Sequence, residues 1–251
     1  PAYDNLIQGY AGAMSITGTD KENPVKSGIP IADLGAGLYA VIGILSAIQS
    51  REKNDSGEHV DISMLDTQVS LLTYMATMHF LSGENPEPIG NQHMNHVPFN
   101  SYRTSDGFIQ IGVVAEDFWP SLIEALNLRK LDTEENKVRS GRLKNRENID
   151  QAVQEVFITN TTEHWLKTLQ EHRVPCGPIN TLSETFQDAD LLKRNMIVEV
   201  LQDSGVSVKM PGNPVKISNH DEEFRRSPKL GEHTSKIFKD WLDKDISIDQ
   251  D

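Results

Sequence analysis

Gly28-Ile29-Pro30-Ile31-Ala32-Asp33-Leu34-Gly35-Ala36-Gly37 sets a single carboxylate at the head of a long apolar run. Leu34, Leu38, Val41, Ile42, Leu45 and Ile48 then recur on one broad face, and the spacing predicts a helix running to about Arg51. An anionic side chain in a first helical turn meets the positive end of the backbone dipole, which favours its charged form. The neighbouring glycines let an extended ligand chain approach without meeting a Cβ. Two roles suit Asp33 here. It caps the helix, the commoner use of such a residue, or it serves as a nucleophilic carboxylate.

Working outward, Leu6, Tyr10 and Met14 predict a helix over residues 4–17, closed by Gly18 and followed by a polar loop to Ser27. Residues 50–57 are expected to form a charged turn. Residues 58–62 alternate like a half-buried strand. Ser63-Met64-Leu65-Asp66 resembles a capping box with Asp in place of Glu or Gln. The helix behind it, to about Leu81, is apolar nearly all round and is expected to be buried. Composition shifts at residues 83–88, a domain boundary.

Beyond that boundary, residues 100–103 and 108–113 read as strands joined by the turn 104–107. Helices are expected over 117–126, 145–158 and 162–172, a hairpin over 196–210, and an amphipathic helix over 235–242 before a frayed acidic tail. The expected division is 1–88, 89–180 and 181–251.

The chain has 251 residues and a formal charge of −13, from 24 Lys and Arg against 37 Asp and Glu. That balance argues against nucleic acid or an anionic membrane as the main partner. One cysteine, Cys176, excludes an internal disulfide and fits a reducing compartment. No unbroken run of 18 apolar residues and no charged-then-apolar leader is present, so a soluble, unexported chain is expected. Pro1 reads as a start within a longer protein.

Six stretches together resemble the class III CoA-transferases, which move CoA between carboxylic acids. They are residues 3–9 (YDNLIQG), 30–39 (PIADLGAGLY), 60–66 (VDISMLD), the Gly90-Asn91-Gln92-His93 to Pro98-Phe99 loop, 174–180 (VPCGPIN) and 230–234 (LGEHT). The resemblance implies an α/β fold of the class III CoA-transferase type, present as a fragment. Its pieces are helices and strands of the large domain (1–88, with the catalytic Asp), a small α+β domain with a flap loop (89–180), and a return segment (181–251). It covers the C-terminal portion only; the family's Rossmann-like N-terminal part lies outside it.

On this resemblance Asp33 falls on the catalytic aspartate, through an acyl-aspartate and then an aspartyl-CoA thioester. Ala2, Tyr3, Asp4 and Met64 fall on CoA-contacting positions, Met64 being equally readable as a core residue. Gly90 and Asn91 fall on the flap over the aspartate and are, with those four, CoA-binding candidates. Gln92 and His93 are substrate candidates, His93 being alternatively a loop histidine bonded to backbone. Related acyl-CoA racemases carry a histidine where Tyr3 stands, and a phenol is a poor base at neutral pH, which favours transfer. The implied substrates are CoA esters and carboxylic acids, short dicarboxylates among them, with no permanently bound cofactor and no metal. The implied assembly is an interlocked homodimer, in the cytoplasm or, in a eukaryote, the mitochondrion. The alternatives are a racemase or other CoA-ester enzyme on the same scaffold, or a fragment inactive without its missing part.

Other signals carry less. His93-x-x-His96 lacks accompanying ligands for zinc. Cys176, without a basic neighbour closer than Arg173, reads as an inert thiol. The basic residues from Lys137 to Arg146 read as a solvated face, or as a contact for the nucleotide end of CoA across a subunit boundary. Gly35-x-Gly37 is too short for a phosphate-binding fingerprint.

Overall fold

The computed structural model describes residues 2–244 and divides into two compact units, the first reaching Ile179 and the second beginning at Asn180. Pro1, read as an internal start, and the tail 245–251, expected to fray, lie outside the described residues.

The first unit begins with helices. α1 spans Asp4–Tyr10 and gives way to a 3-10 turn over Ala13–Ile16, so the helix expected to Thr17 is shorter and broken. α2 spans Ile31–Asn54 and is three residues longer at its C-terminus than the spacing predicts, stopping where Asp55 turns left-handed. Its inner face is made of small residues. A Cβ added at Gly35 would stand 2.9 Å from Leu71 Cδ1, and one at Gly43 would stand 2.8 Å from Val60 Cγ1. Its outer face is apolar and bare: Leu38 is 67% exposed, and Leu34, Val41, Ile42, Leu45 and Ile48 are exposed with it. Although interrupted by Asp33, glycines and serines, α2 is long and apolar enough by length and composition to cross a membrane. Such a helix is equally one whose covering partner lies elsewhere in an assembly.

Residues 58–62 are not a strand; no ladder forms, and Val60 and Ile62 pack onto Gly43 of α2. The helix expected to run to Leu81 is two helices, α3 (Met64–Leu71) and α4 (Tyr74–Ser82). They break at Thr73, whose φ of 50° is unusual for a β-branched residue. The Ser63 hydroxyl accepts the Asp66 N–H at 3.2 Å, supplying the forward half of the capping box. Nor is this segment buried: Phe80 is 81% and Leu81 84% exposed. Its all-round apolarity matches a surface for which this chain supplies no cover.

The remainder of the unit builds its own core. β1 (Phe99–Arg103), β2 (Phe108–Gly112) and β3 (Cys176–Pro178) form an antiparallel sheet in that order, with Tyr102 opposite Ile109 and Ile111 opposite Cys176. The helices are α5 (Phe118–Ala125), α6 (Arg139–Lys144), α7 (Arg146–Phe157) and α8 (Thr162–Glu171). Tyr102, Ile109, Ile111, Trp119, Leu122, Ile149, Val153, Phe157, Trp165 and Leu169 cluster between sheet and helices. The Trp165 indole N–H donates to the Phe157 carbonyl at 2.8 Å, so its burial leaves no donor idle.

The stretch 137–146 is not a uniformly solvated basic face. Arg142 is 1% exposed and donates to the carbonyls of Val97 (2.8 Å), Asn136 (3.0 Å) and Lys137 (3.2 Å) and to Glu116 Oε2 (2.7 Å). Gly141 makes that closure feasible: a Cβ there would fall 1.8 Å from the Glu135 carbonyl oxygen.

The second unit holds α9 (Leu182–Thr185) and α10 (Ala189–Lys193), then the hairpin β4 (Ile197–Leu201) and β5 (Ser207–Pro211), and finally α11 (Thr234–Leu242). Val198 and Val200 are buried, whereas every residue of β5 is exposed. Arg226 pairs with Asp203 and with Glu232, and the Glu232 carboxyl is held down to about 2 by that guanidinium and by the Lys229 N–H. Among the described residues the architecture is mixed α/β, with strands confined to the small sheet and the hairpin.

Candidate active site

Asp33 occupies the third position of α2, in its first turn, and is exposed. It does not cap the helix, because no side chain of α2 makes a cap bond. That task falls to Asp4, whose Oδ1 accepts the Ala32 N–H at 2.9 Å. Among the described residues the Asp33 carboxylate accepts no hydrogen bond, so both oxygens are free for another molecule. Pro30 and the turn at Ile29, whose carbonyl accepts the Ile31 N–H at 2.8 Å, aim the chain into the helix just ahead of it.

α1, α2 and α3 pack on one another, bringing the elements that carry Asp4, Asp33 and Met64 together. Met64 opens α3 and is half-buried. Ala2 is exposed. Tyr3 is 72% exposed, not the half-buried aromatic an ordinary packing role would give, and its carbonyl accepts the N–H groups of Leu6 and Ile7 at the head of α1.

The loop 90–93 is tied elsewhere. Gly90 N–H donates to the Gly18 carbonyl at 2.7 Å, and Asn91 Nδ2 donates to Ser101 Oγ at 2.7 Å. Gln92 Nε2 reaches Asp150 Oδ2 at 3.4 Å. His93 N–H donates to the Phe99 carbonyl, its Nδ1 accepts the Asn95 N–H at 3.0 Å, and its carbonyl accepts from Arg146 at 2.7 Å. These bonds fit His93 as a loop residue held by backbone. Among the described residues no hydrogen bond joins this loop to α2.

Asn91 lines a cleft of about 390 Å³ with Phe99, Gln110, Cys176 and Gly177, and Asp33 is not among its lining residues. Burial pushes the Cys176 thiol up, away from the thiolate a nucleophile needs. Desolvation, with the nearby His93, Arg139 and Arg142, pushes the His96 imidazole below its ordinary range.

Sequence reasoning passed over two groups. Gln8 is buried and bonded to Asp4, and Asp150 is a half-buried carboxylate raised by desolvation against the opposing pull of the Tyr102 hydroxyl and Arg146. Their signal in sequence is faint, since a lone Gln or Asp on an amphipathic helix looks like surface.

Comparison with known proteins places the chain in a family. The model of CoA-transferase family III matches residues 1–234. Succinyl-CoA:glutarate CoA-transferase of Homo sapiens is 29% identical over 242 residues, covering 96% of this chain and 55% of that protein. Succinyl-CoA:mesaconate CoA-transferase of Haloarcula marismortui is 31% identical over 240 residues, covering 95% and 60%. A solved CAIB/BAIF family protein from Brucella suis superposes with a TM-score of 0.80 at 32% identity, covering 95% of this chain and 62% of that one. The chain thus spans little more than half the length of the curated relatives it matches. A match along nearly its whole length, in sequence and in fold together, assigns it: the chain belongs to CoA-transferase family III.

Proposed function

We propose that the protein carrying this chain transfers CoA between carboxylic acids, with Asp33 as the nucleophile. The observation that carries this reading is an exposed carboxylate in the first turn of α2 that spends neither oxygen on its own chain. An Asp33 oxygen attacks the thioester carbonyl; the C–S bond breaks, giving a mixed anhydride and CoA thiolate. The thiolate attacks the Asp33 acyl carbon, releasing the donor acid and leaving aspartyl-CoA. The acceptor carboxylate then attacks that thioester, and the steps reverse to deliver its CoA ester. A carboxylate suits the exchange because acyl groups pass between it and sulfur through intermediates of similar energy. The oxyanions that form need donors, for which the main-chain N–H groups near Gly35 are the candidates.

Short dicarboxylates are the proposed acids, since several relatives are named for succinate, glutarate and mesaconate. Ala2, Tyr3, Asp4 and Met64 are proposed to border the CoA arm, with the loop 90–93 completing the site in the assembled protein. A homodimer is the proposed assembly, and it would cover the apolar face of α2. Incubation with succinyl-CoA followed by hydroxylamine should leave a hydroxamate on Asp33, read by peptide mass spectrometry. Asp33→Ala should lose about 10³-fold or more in turnover. Turnover retained in that variant would remove Asp33 from the mechanism.

A further inference from the structure

A partly buried relay links the head of α1 to the head of α2. Gln8 is 1% exposed. Its Nε2 donates to Asp4 Oδ2 at 2.7 Å, and its Oε1 accepts the Ser27 N–H at 2.9 Å. Asp4 Oδ1 accepts the Ala32 N–H at 2.9 Å. Both ends of this row are main-chain donors. Such a row closes only when its middle holds one group that both donates and accepts and one that only accepts. An amide beside a carboxylate meets the requirement; two amides or two carboxylates leave a pair of like atoms facing each other.

The two anchored amides bracket residues 28–31, and Asp33 directly follows Ala32. We infer that Gln8 and Asp4 are positioning residues for Asp33: they clamp the turn into α2 from outside, and Asp4 satisfies a first-turn N–H that Asp33 would otherwise be free to cap. The inference rests on Asp33 being the nucleophile. A misplacement of the order of 1 Å in a reacting group costs about 100-fold in rate, so a clamp on this turn has catalytic leverage.

The row can be reversed. Gln8→Glu sets carboxylate against carboxylate, and Asp4→Asn sets amide donor against amide donor. Together, Asp4→Asn with Gln8→Glu turns the central bond around and restores every hydrogen bond. Amide hydrogen exchange at Ser27 and Ala32 reports the clamp, and kcat and KM for transfer from succinyl-CoA report its use.

Each single variant should speed exchange at both amides about 10-fold or more and lower kcat about 10-fold or more; for Gln8→Glu, a residue outside the proposed CoA contacts, KM should move less than about 3-fold. The paired variant should recover both readings to within about 3-fold. Singles that keep kcat, or a pair that recovers exchange but not kcat, would overturn the inference. Should the pair fail to fold, Gln8→Met removes the two amide bonds and spares the Asp4–Ala32 bond; an unchanged kcat there overturns it as well. Absence of an Asp33 hydroxamate in the parent, with the exchange effects intact, locates the failure in the nucleophile and not in the clamp, and the positioning role falls with it.

Discussion

α7 and α2 are both helices of the same unit, and they fare differently. α7, with 12 residues, buries Ile149, Ala152, Val153 and Phe157; α2, with 24, buries only Ala32 and Gly35. The apolar face of α7 meets β1 and its companions, so the region 97–176 closes around its own core. α2 turns its small-residue face inward and leaves its large apolar residues uncovered. One region satisfies itself, while the other presents a surface shaped for material this chain does not supply. That contrast fits a chain spanning little more than half of its curated relatives.

Substitutions can break or sharpen the contrast. Phe157→Ala empties a site packed against Tyr102 and Trp165, and should cost about 3–5 kcal/mol in denaturant melts. Arg142→Met strips donors from three carbonyls and unpairs Glu116; a loss of about 3 kcal/mol is expected by the same measurement.

A smaller effect should appear at Asp150. Burial raises its carboxyl in the folded chain above the ordinary range, so the native state binds the extra proton between those two values. Its contribution to stability is therefore fullest at low pH and is lost as pH rises through that window. Asp150→Asn should flatten the part of the melting-temperature profile that lies just above the ordinary carboxylate range; superimposable profiles would show that burial there has no consequence. The smallest change should come from Leu38→Ser, within about 0.5 kcal/mol in this chain alone, because the residue it replaces already faces solvent. A large loss there would mean that α2 is covered after all.

Much of the self-contained region was legible. The alternation through Tyr102 and Ile109 and the helical spacing of Ile149, Val153 and Trp165 each located an element within a residue or two, because the pattern and its burying partner lie in the same chain. Periodicity failed where the partner was absent or local geometry ruled. Residues 58–62 alternate but find no strand to pair with, and Thr73 breaks a helix that composition alone would continue. Arg142 read as surface because its carbonyl partners come from residues 97, 136 and 137, which no local pattern connects. At the candidate site, Asp33 stood out by its place at a helix head. Gln8 did not, since its value depends on Ser27, nineteen positions away.

Gly141 carries a consequence out of proportion to its size. With the Glu135 carbonyl oxygen 1.8 Å from where even a methyl would begin, alanine has no room at that site, and the loop that encloses Arg142 would have to open to admit it. Tolerance here is set by a missing atom, so the mildest replacement on paper would be felt as a wedge.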